Sequence, residues 1–199
     1  MGIIERRLRQ KEEVKMDILK AAWELAKKDG WQAVSIRKIA DAIEYSVPVI
    51  YDHFENKEAI LLEFAKLGFE KLNKQMETAK NQHEDPADQI KAMADAYWEF
   101  AINNTEKYQL MYGIGMASCD VSMALPEQQK LMDTVTAAIE TMAVKSKRTD
   151  INSCLKYHTF WSVMHGLISI KIVGNSAVDA QLNKMVLDDA IAGFIKNMT

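Results

Sequence analysis

The chain of 199 residues is 48% hydrophobic and 27% charged, and its net charge of −3 does not by itself indicate a nucleic-acid partner. Such a length can bury a sizeable core in one or two domains. The longest apolar runs are interrupted and fall short of a membrane span, and the N-terminus lacks the apolar core of a signal peptide. Two cysteines without a CxxC spacing argue against a disulfide framework. We therefore expect a cytoplasmic protein with no cofactor, no bound metal and no membrane association.

The composition favours an all-α fold of about nine helices, because only 3 Pro and 8 Gly accompany many Ala, Lys, Glu and Leu residues. The first long helix should run from about Lys11 to Lys28, with Ile18, Ala22 and Leu25 on its buried face. Gly30 then suits the left-handed position that follows a helix end.

The stretch Ser35–Phe54 has the clearest local organisation in the chain. Two short runs of apolar residues have the spacing of one helix face, and they are Ile36, Ile39, Ala40 and Ile43, then Val47, Ile50, Tyr51 and Phe54. Ser35 and Ser46 precede these runs as plausible N-caps. Two helices this short, joined by residues 44–46, suit a crossed helix-turn-helix, in which the second helix enters the DNA major groove.

The charges around this motif are balanced. Residues 1–60 contain 11 basic and 11 acidic side chains, although basic residues outnumber acidic ones by 5 to 3 within the first fifteen residues. That N-terminal segment is either an arm that reaches DNA phosphates or a solvated, frayed helix start.

The remainder of the chain is helical in pattern and divides at two points. Asn56 should cap a connecting helix that continues to about Lys80, and Asp85 with Pro86 should open the next helix. We therefore expect a helix-turn-helix domain over residues 1–55, a connecting helix over 56–80, and a helical ligand-binding and dimerisation domain over 81–199.

A helix over residues 151–173, with Asp150 as its cap, is apolar on two faces. A helix that is apolar nearly all round has to be buried nearly all round. A second subunit that covers one face would provide this burial, and a twofold homodimer would also place two reading helices one DNA turn apart. The alternative is a core helix in a monomer.

Residues Ile18–Leu62 resemble the DNA-binding domain of the TetR family of bacterial transcriptional repressors. The resemblance is carried by the helix that ends at Gly30, by SIRKIA at 35–40, by YxHF at 51–54 and by NKE at 56–58. It implies phosphate contacts from Ser35, Tyr51 and Lys57, and a further contact from Arg37. The full set of candidate DNA-binding residues is Ser35, Arg37, Tyr45, Ser46, Val47, Pro48, Tyr51, His53 and Lys57.

Two residues depart from the family pattern. Glu44 stands where the turn usually has Gly, and a non-glycine residue in the left-handed region costs roughly 1 kcal/mol. Pro48 stands in the first turn of the second helix, where a missing N–H costs little. Because Val47 and Pro48 are apolar, they can touch thymine methyl groups but cannot read bases by paired hydrogen bonds. Arg37, Tyr45 and DNA shape should then supply more of the specificity.

The C-terminal part resembles, in Trp161-xxx-His165-Gly166, the W…HG arrangement of one TetR subfamily. Aromatic and methionine side chains at helical spacing can line an apolar cavity with one polar anchor. The candidate lining is Met93, Tyr97, Phe100, Met111, Met132, Trp161, Met164 and His165. The alternative interpretation is that these side chains are packed core.

Three functions are compatible with these features. The leading hypothesis is a homodimeric repressor that binds a palindromic double-stranded DNA operator and leaves it when a small apolar or amphipathic effector binds. The second is a DNA-binding protein of the same fold with a filled core and no inducer, or one that responds to a protein partner. The third is an all-α enzyme, which we expect the protein not to be, because the sequence has no metal-ligand cluster, glycine-rich phosphate loop or GxSxG motif.

Overall fold

The computed structural model describes residues 2–113, 125–173 and 180–199. Within these ranges every regular element is helical, so the expected all-α fold of about nine helices is confirmed. The helices are α1 Ile3–Asp29, α2 Ile36–Ala42, α3 Val47–Tyr51, α4 Lys57–Lys80, α5 Pro86–Asn103, α6 Thr105–Tyr112, α7 Pro126–Lys145, α8 Ser153–Val173 and α9 Ala180–Lys196, with one 3-10 turn at Trp31–Ala33. None of them, in the part described, is long and apolar enough to cross a bilayer.

Helix α1 begins eight residues before the predicted start at Lys11. Its first turn closes on itself, because the backbone N–H of Gly2 donates to the Glu5 carboxylate at 2.9 Å. The basic N-terminal segment is therefore helical. At the other end, Gly30 has a φ of 79° and its N–H donates to the Ala26 carbonyl, so glycine ends the helix as expected.

The chain folds into two compact units. The first comprises residues 2–65 and 109–113, and the second comprises 66–108, 125–173 and 180–199, among the residues described. Helix α4 begins in the first unit and continues into the second, and α6 also contributes residues to both. The Asn56 side chain caps α4 as predicted, since its oxygen accepts from the Ala59 N–H at 2.8 Å.

The first unit is held by an apolar core between α1, α2 and α3. Ile18, Ile39 and Ile50 are fully buried, so each of the three helices contributes a branched aliphatic side chain. An aromatic cluster of Trp23, Trp31 and Phe64 lies beside it, with ring centroids 5.1–6.1 Å apart. Each such pair stabilises the folded state by about 0.5–1.5 kcal/mol beyond the contribution of its buried area. The cluster thus helps to hold the helices of the first unit, which include α3.

In the second unit, α5 packs against α7, α8 and α9, and α8 packs against both α7 and α9. The start of α5 is as predicted, because the Asp85 carboxylate accepts from the Ala87 N–H at 2.8 Å. The expected cap of α8 is wrong. Asn152 caps that helix by accepting from the Leu155 N–H at 2.9 Å. Asp150 is instead paired with Arg148, which lowers the pKa of the Asp150 carboxyl to about 2.

Candidate functional site

The helix-turn-helix presents one face of α2 and α3 to solvent. Tyr45 is 45% exposed and Tyr51 is 53% exposed. Tyrosine side chains are usually more buried than this. Among the other predicted DNA-binding residues, the exposed ones are Arg37, Ser46 and Pro48, and the half-buried ones are Ser35, Val47, His53 and Lys57. All nine belong to the first unit, on or next to the motif.

The two serines that precede these helices differ in what they do. Ser35 caps α2, since its hydroxyl accepts from the Lys38 N–H at 3.3 Å. Ser46 occupies the N-cap position of α3, but its side chain makes no capping hydrogen bond, so the predicted cap there is wrong. Pro48 lies in the first turn of α3, where its missing N–H removes no helical hydrogen bond.

The turn between the two helices is a Schellman motif. The Tyr45 N–H donates to the Ala40 carbonyl at 3.0 Å and the Glu44 N–H donates to the Asp41 carbonyl at 3.4 Å. Glu44 takes the left-handed position with a φ of 58°. The structure thus retains the family's turn with a residue that is strained in it.

Two lysines flank the 3-10 turn that follows α1. The ammonium of Lys38 donates to the Ala33 carbonyl at 3.0 Å, and that of Lys57 donates to the Gln32 carbonyl at 3.4 Å. These bonds hold both cations at the edge of the motif. After α3, burial and then the charge of Lys11 lower the pKa of His53 from its usual range, so its imidazole is neutral at pH 7.

Most of the predicted effector-site residues are fully enclosed. Met93, Tyr97, Phe100 and Met164 of the second unit are at most 1% exposed, and Met111 of the first unit is also buried. Apolar side chains at helical spacing serve a packed core and a cavity wall equally well. Their assignment to an effector site therefore stays a prediction.

A polar chain crosses the core of the second unit. The Tyr108 hydroxyl lies 3.1 Å from the Tyr97 hydroxyl and 2.8 Å from Nδ1 of His165. The His165 ring in turn stacks on Trp161, with centroids 4.9 Å apart and planes 11° apart. Burial lowers the pKa of His165, so the chain links α5, α6 and α8 through neutral groups.

A cleft of about 320 Å³ opens between the start of α7 and the first half of α8. It contains two of the predicted residues, Met132 and Trp161. Among the described residues, its lining is Leu125, Pro126, Gln128, Gln129, Met132, Tyr157, His158 and Trp161. In the described part of the chain, no group of three or more His, Cys, Asp or Glu side chains is placed to hold a metal ion.

The last two helices expose apolar faces on the second unit. On α8 the exposed apolar residues are Leu155 and Ile170, and on α9 they are Leu182, Met185 and Val186, at 46–66% exposure. Gly166 and Gly193 lie on the same two faces, and a Cβ added at either would meet no atom within 4 Å. These faces are distinct from the cleft, since Tyr157 and Trp161 lie on the opposite side of α8.

Comparison with known families identifies both halves of the chain. Residues 18–64 match the family of bacterial regulatory proteins called the tetR family, and residues 90–193 match the tetracyclin repressor-like C-terminal domain. The chain belongs to the TetR family. It is a transcriptional regulator with a helix-turn-helix, as the sequence predicted.

One relative of this TetR-family chain is an uncharacterized HTH-type transcriptional regulator, YobS of Bacillus subtilis, which is 30% identical over 92 residues. The match covers 46% of this chain and about half of that relative's length, 48%. Among solved structures, a Rhodococcus protein of unknown function has a TM-score of 0.77 at 22% identity, covering 92% of this chain and 93% of that one. The regulator FadR of Bacillus subtilis, solved with stearoyl-CoA, has a TM-score of 0.68 at 16% identity, with coverages of 90% and 98%. Both structures share the fold.

Three functional candidates of this TetR-family chain were missed by the sequence reasoning. Tyr108 was left out of the predicted lining, because its partner His165 is 57 residues away. Tyr157 lies four residues before Trp161, so helical spacing could have placed both in one cleft. Gln128 gave no signal, since a glutamine after a first-turn proline is common on solvated helices.

Proposed function

We propose that this TetR-family regulator is a homodimeric repressor that binds a palindromic DNA operator and leaves it when a small apolar or amphipathic molecule binds the second unit. The observation that carries the proposal is the exposed face of the helix-turn-helix. Tyr45 and Tyr51 are about half exposed on a motif in which Phe54 is buried. Exposed side chains of this kind, beside cations, suit contacts to DNA phosphates and sugars.

In this proposal Ser35, Tyr51 and Lys57 hold the phosphate backbone. The hydroxyls donate to phosphate oxygens, and Lys57 supplies a cation from a side chain already oriented by the Gln32 carbonyl. Arg37 is exposed on α2 and adds a backbone or base contact. Because phosphate contacts carry no sequence information, they fix the register of α3 in the groove.

In this proposal, the residues at the start of α3 contact the DNA bases. Val47 and Pro48 offer only apolar surface, which fits the methyl group of thymine. Tyr45, at the end of the turn, adds a hydroxyl and a ring. With so few hydrogen-bonding groups, the operator is selected in good part through DNA shape and deformability.

The homodimer is supported by the apolar faces of α8 and α9. Five aliphatic or methionine side chains are about half exposed or more on these two helices, where a lone subunit would leave them in water. Gly166 and Gly193 allow the backbones of partner helices to approach closely. A twofold dimer formed through these faces would present two copies of α3 to two half-sites of one operator.

An effector site is supported by the cleft lined by Met132 and Trp161 and by the stack of Trp161 on His165, the pair that resembles the W…HG subfamily. The FadR structure was solved with stearoyl-CoA, so the fold accommodates a small-molecule ligand. Release from DNA would follow if the effector binds more tightly to a packing of the second unit whose half-site spacing no longer fits the groove.

A second candidate is a TetR-fold DNA-binding protein without an inducer. It is favoured by the complete burial of Met93, Tyr97 and Phe100, which is what a filled core requires. The two candidates differ in one respect. Only a repressor with an effector loses its operator when a small molecule is added.

The test is selection of bound duplexes from a random DNA pool by the full chain at a stated salt concentration. We expect a palindromic motif with half-sites about one helical turn apart. The variant Tyr51→Ala, with Tyr112→Ala as the matched control outside the motif, should lose enrichment while the control retains it. A single unpaired site, or no enriched motif at low salt, would contradict the dimeric repressor.

A further inference from the structure

The cleft between α7 and α8 is built as an aromatic slot. Trp161 contributes an indole ring to its lining, Met132 contributes a polarisable thioether, and Pro126 lies in the same lining at the start of α7. Flat rings pack well against such surfaces, since indole and thioether groups both favour contact with aromatic ligands. The volume of about 320 Å³ is at the lower end of the range for ligand pockets, roughly 300–1,000 Å³. The slot therefore fits a single ring with small substituents.

Tyr157 contributes a phenol to the wall of this slot. Its side chain is only 7% exposed, and its ring lies edge-on to His158 with centroids 5.3 Å apart. Its hydroxyl forms no hydrogen bond within the described part of the chain. Burial raises the pKa of the phenol, so it stays neutral and can donate. A ligand atom that accepts from this hydroxyl would form a hydrogen bond at the wall of the slot.

Gln128 provides a second polar group on the same wall. Its side chain is half-buried and, like that of Tyr157, it has no hydrogen-bond partner in the described ranges. A primary amide both donates and accepts, so it pairs best with another amide or with a carbonyl beside a donor. The slot thus offers two donors and one acceptor next to an aromatic wall.

The part of the lining that the structure describes holds no fixed charge, since it contains no Lys, Arg, Asp or Glu. An anionic or cationic ligand would lose its hydration there without gaining a counter-charge. This chemistry differs from that of a CoA thioester, whose phosphates need cations.

We infer that the slot binds a neutral, single-ring aromatic molecule with an amide or carbonyl substituent, whose ring stacks on Trp161 and whose polar edge pairs with Tyr157 and Gln128. The inference rests on the proposed function, for which it names the effector class. It sets this regulator apart from FadR, whose structure holds stearoyl-CoA.

Three isosteric probes test the inference: benzamide, which is neutral, benzoate, which is anionic, and benzamidine, which is cationic. The full chain is labelled with ¹⁵N-tryptophan, so that its four indole N–H groups give four NMR signals. The variant Trp161→Phe assigns the signal of interest. We expect benzamide to shift the Trp161 signal in a saturable way, with an affinity on the order of millimolar for so small a molecule. Benzoate and benzamidine should bind at least about 10-fold more weakly, because their charges are not compensated.

Tyr157→Phe and Gln128→Leu should each weaken benzamide binding by about 3–10-fold, as expected for one hydrogen bond. Gln10→Leu, an exposed glutamine of α1, is the matched control and should have no effect. The inference is overturned if either charged probe binds as tightly as benzamide, if Tyr157→Phe binds benzamide unchanged, or if the shifts fall on the other tryptophans.

The duplex selection on the same preparation separates this inference from the proposed function. A chain that enriches a palindromic motif but fails the benzamide test is a repressor with a different effector or none, and the inference alone is lost. A chain that binds benzamide through Tyr157 but enriches no DNA keeps its ligand site and loses the repressor function.

Discussion

Replacing Glu44 by glycine should both stabilise the protein and strengthen its binding to DNA. Glu44 has a φ of 58° in a Schellman turn whose two hydrogen bonds are both formed. The left-handed conformation costs a non-glycine residue about 1–2 kcal/mol, and glycine removes that cost. Glycine also loses more backbone freedom on folding, by roughly 0.5–1 kcal/mol relative to alanine. The net gain is about 0.5–1 kcal/mol, or a rise of about 1–4 °C in the unfolding midpoint.

The chain contains a matched control for this change. Lys147 has a φ of 54°, and the turn after α7 has the same two hydrogen bonds, from Arg148 to the Ala143 carbonyl and from Lys147 to the Val144 carbonyl. Lys147→Gly should therefore give a similar rise in the unfolding midpoint. It lies outside the helix-turn-helix and should leave DNA binding unchanged.

The DNA effect of Glu44 comes from its charge. An anion next to Tyr45, on the face proposed to meet DNA, opposes phosphate by an amount typical of exposed charge pairs, about 0.5–1 kcal/mol. Glu44→Gln keeps the strained turn but removes the charge, so it should raise affinity by about 2–5-fold at low salt without raising the midpoint. Fluorescence anisotropy with the selected operator and thermal unfolding measure the two effects separately. The reasoning is refuted if Glu44→Gly lowers the midpoint while Lys147→Gly raises it, or if Glu44→Gln leaves the affinity unchanged.

Three further outcomes follow from the contacts described. Ile170→Glu should convert the dimer to monomer in sedimentation and abolish operator binding, whereas Val144→Glu, an exposed apolar residue of α7, should do neither; a dimer that survives Ile170→Glu would place the interface elsewhere. Lys57→Ala should weaken DNA binding and reduce the slope of log affinity against log salt by about one per subunit, and an unchanged slope would remove Lys57 from the phosphate contacts. Burial lowers the pKa of His165 in the folded chain, whereas in the unfolded chain the imidazole binds a proton below about pH 6.5. The unfolded state is therefore favoured as the pH falls below about 6.5, and the stability that is present above this pH is lost. His165→Gln should flatten this fall in the unfolding midpoint between pH 7.5 and 5.5, and an unchanged fall in this variant would assign it to other groups.

The sequence predicted helices and caps well, because these depend on residues close in the chain. Ser35, Asn56 and Asp85 cap the helices expected of them, and Gly30 ends α1. The cap of α8 was wrong because Asp150 and Asn152 are both good N-cap residues two positions apart. What separated them was the ion pair that Arg148 forms with Asp150.

The sequence also indicated part of the strain at Glu44. The residue was recognised as unusual for its position, but two outcomes were open, a different turn or a strained one. Only the backbone shows that the left-handed turn is kept. The backbone strain at one residue is smaller than the stabilisation from the packing of α2 against α3. The tertiary contacts therefore determine which turn forms.

By itself, the sequence determined the all-α fold, the helix-turn-helix and the family, because helical period and turn residues act over a few positions. It could not separate cavity from core, since both require apolar side chains at the same spacing. The packing of α5, α6, α7 and α8 placed Met93, Tyr97 and Met164 inside and left Trp161 and Met132 on a cleft. It also joined Tyr108 to His165 across 57 residues, a pairing that depends on how helices meet and not on their local order.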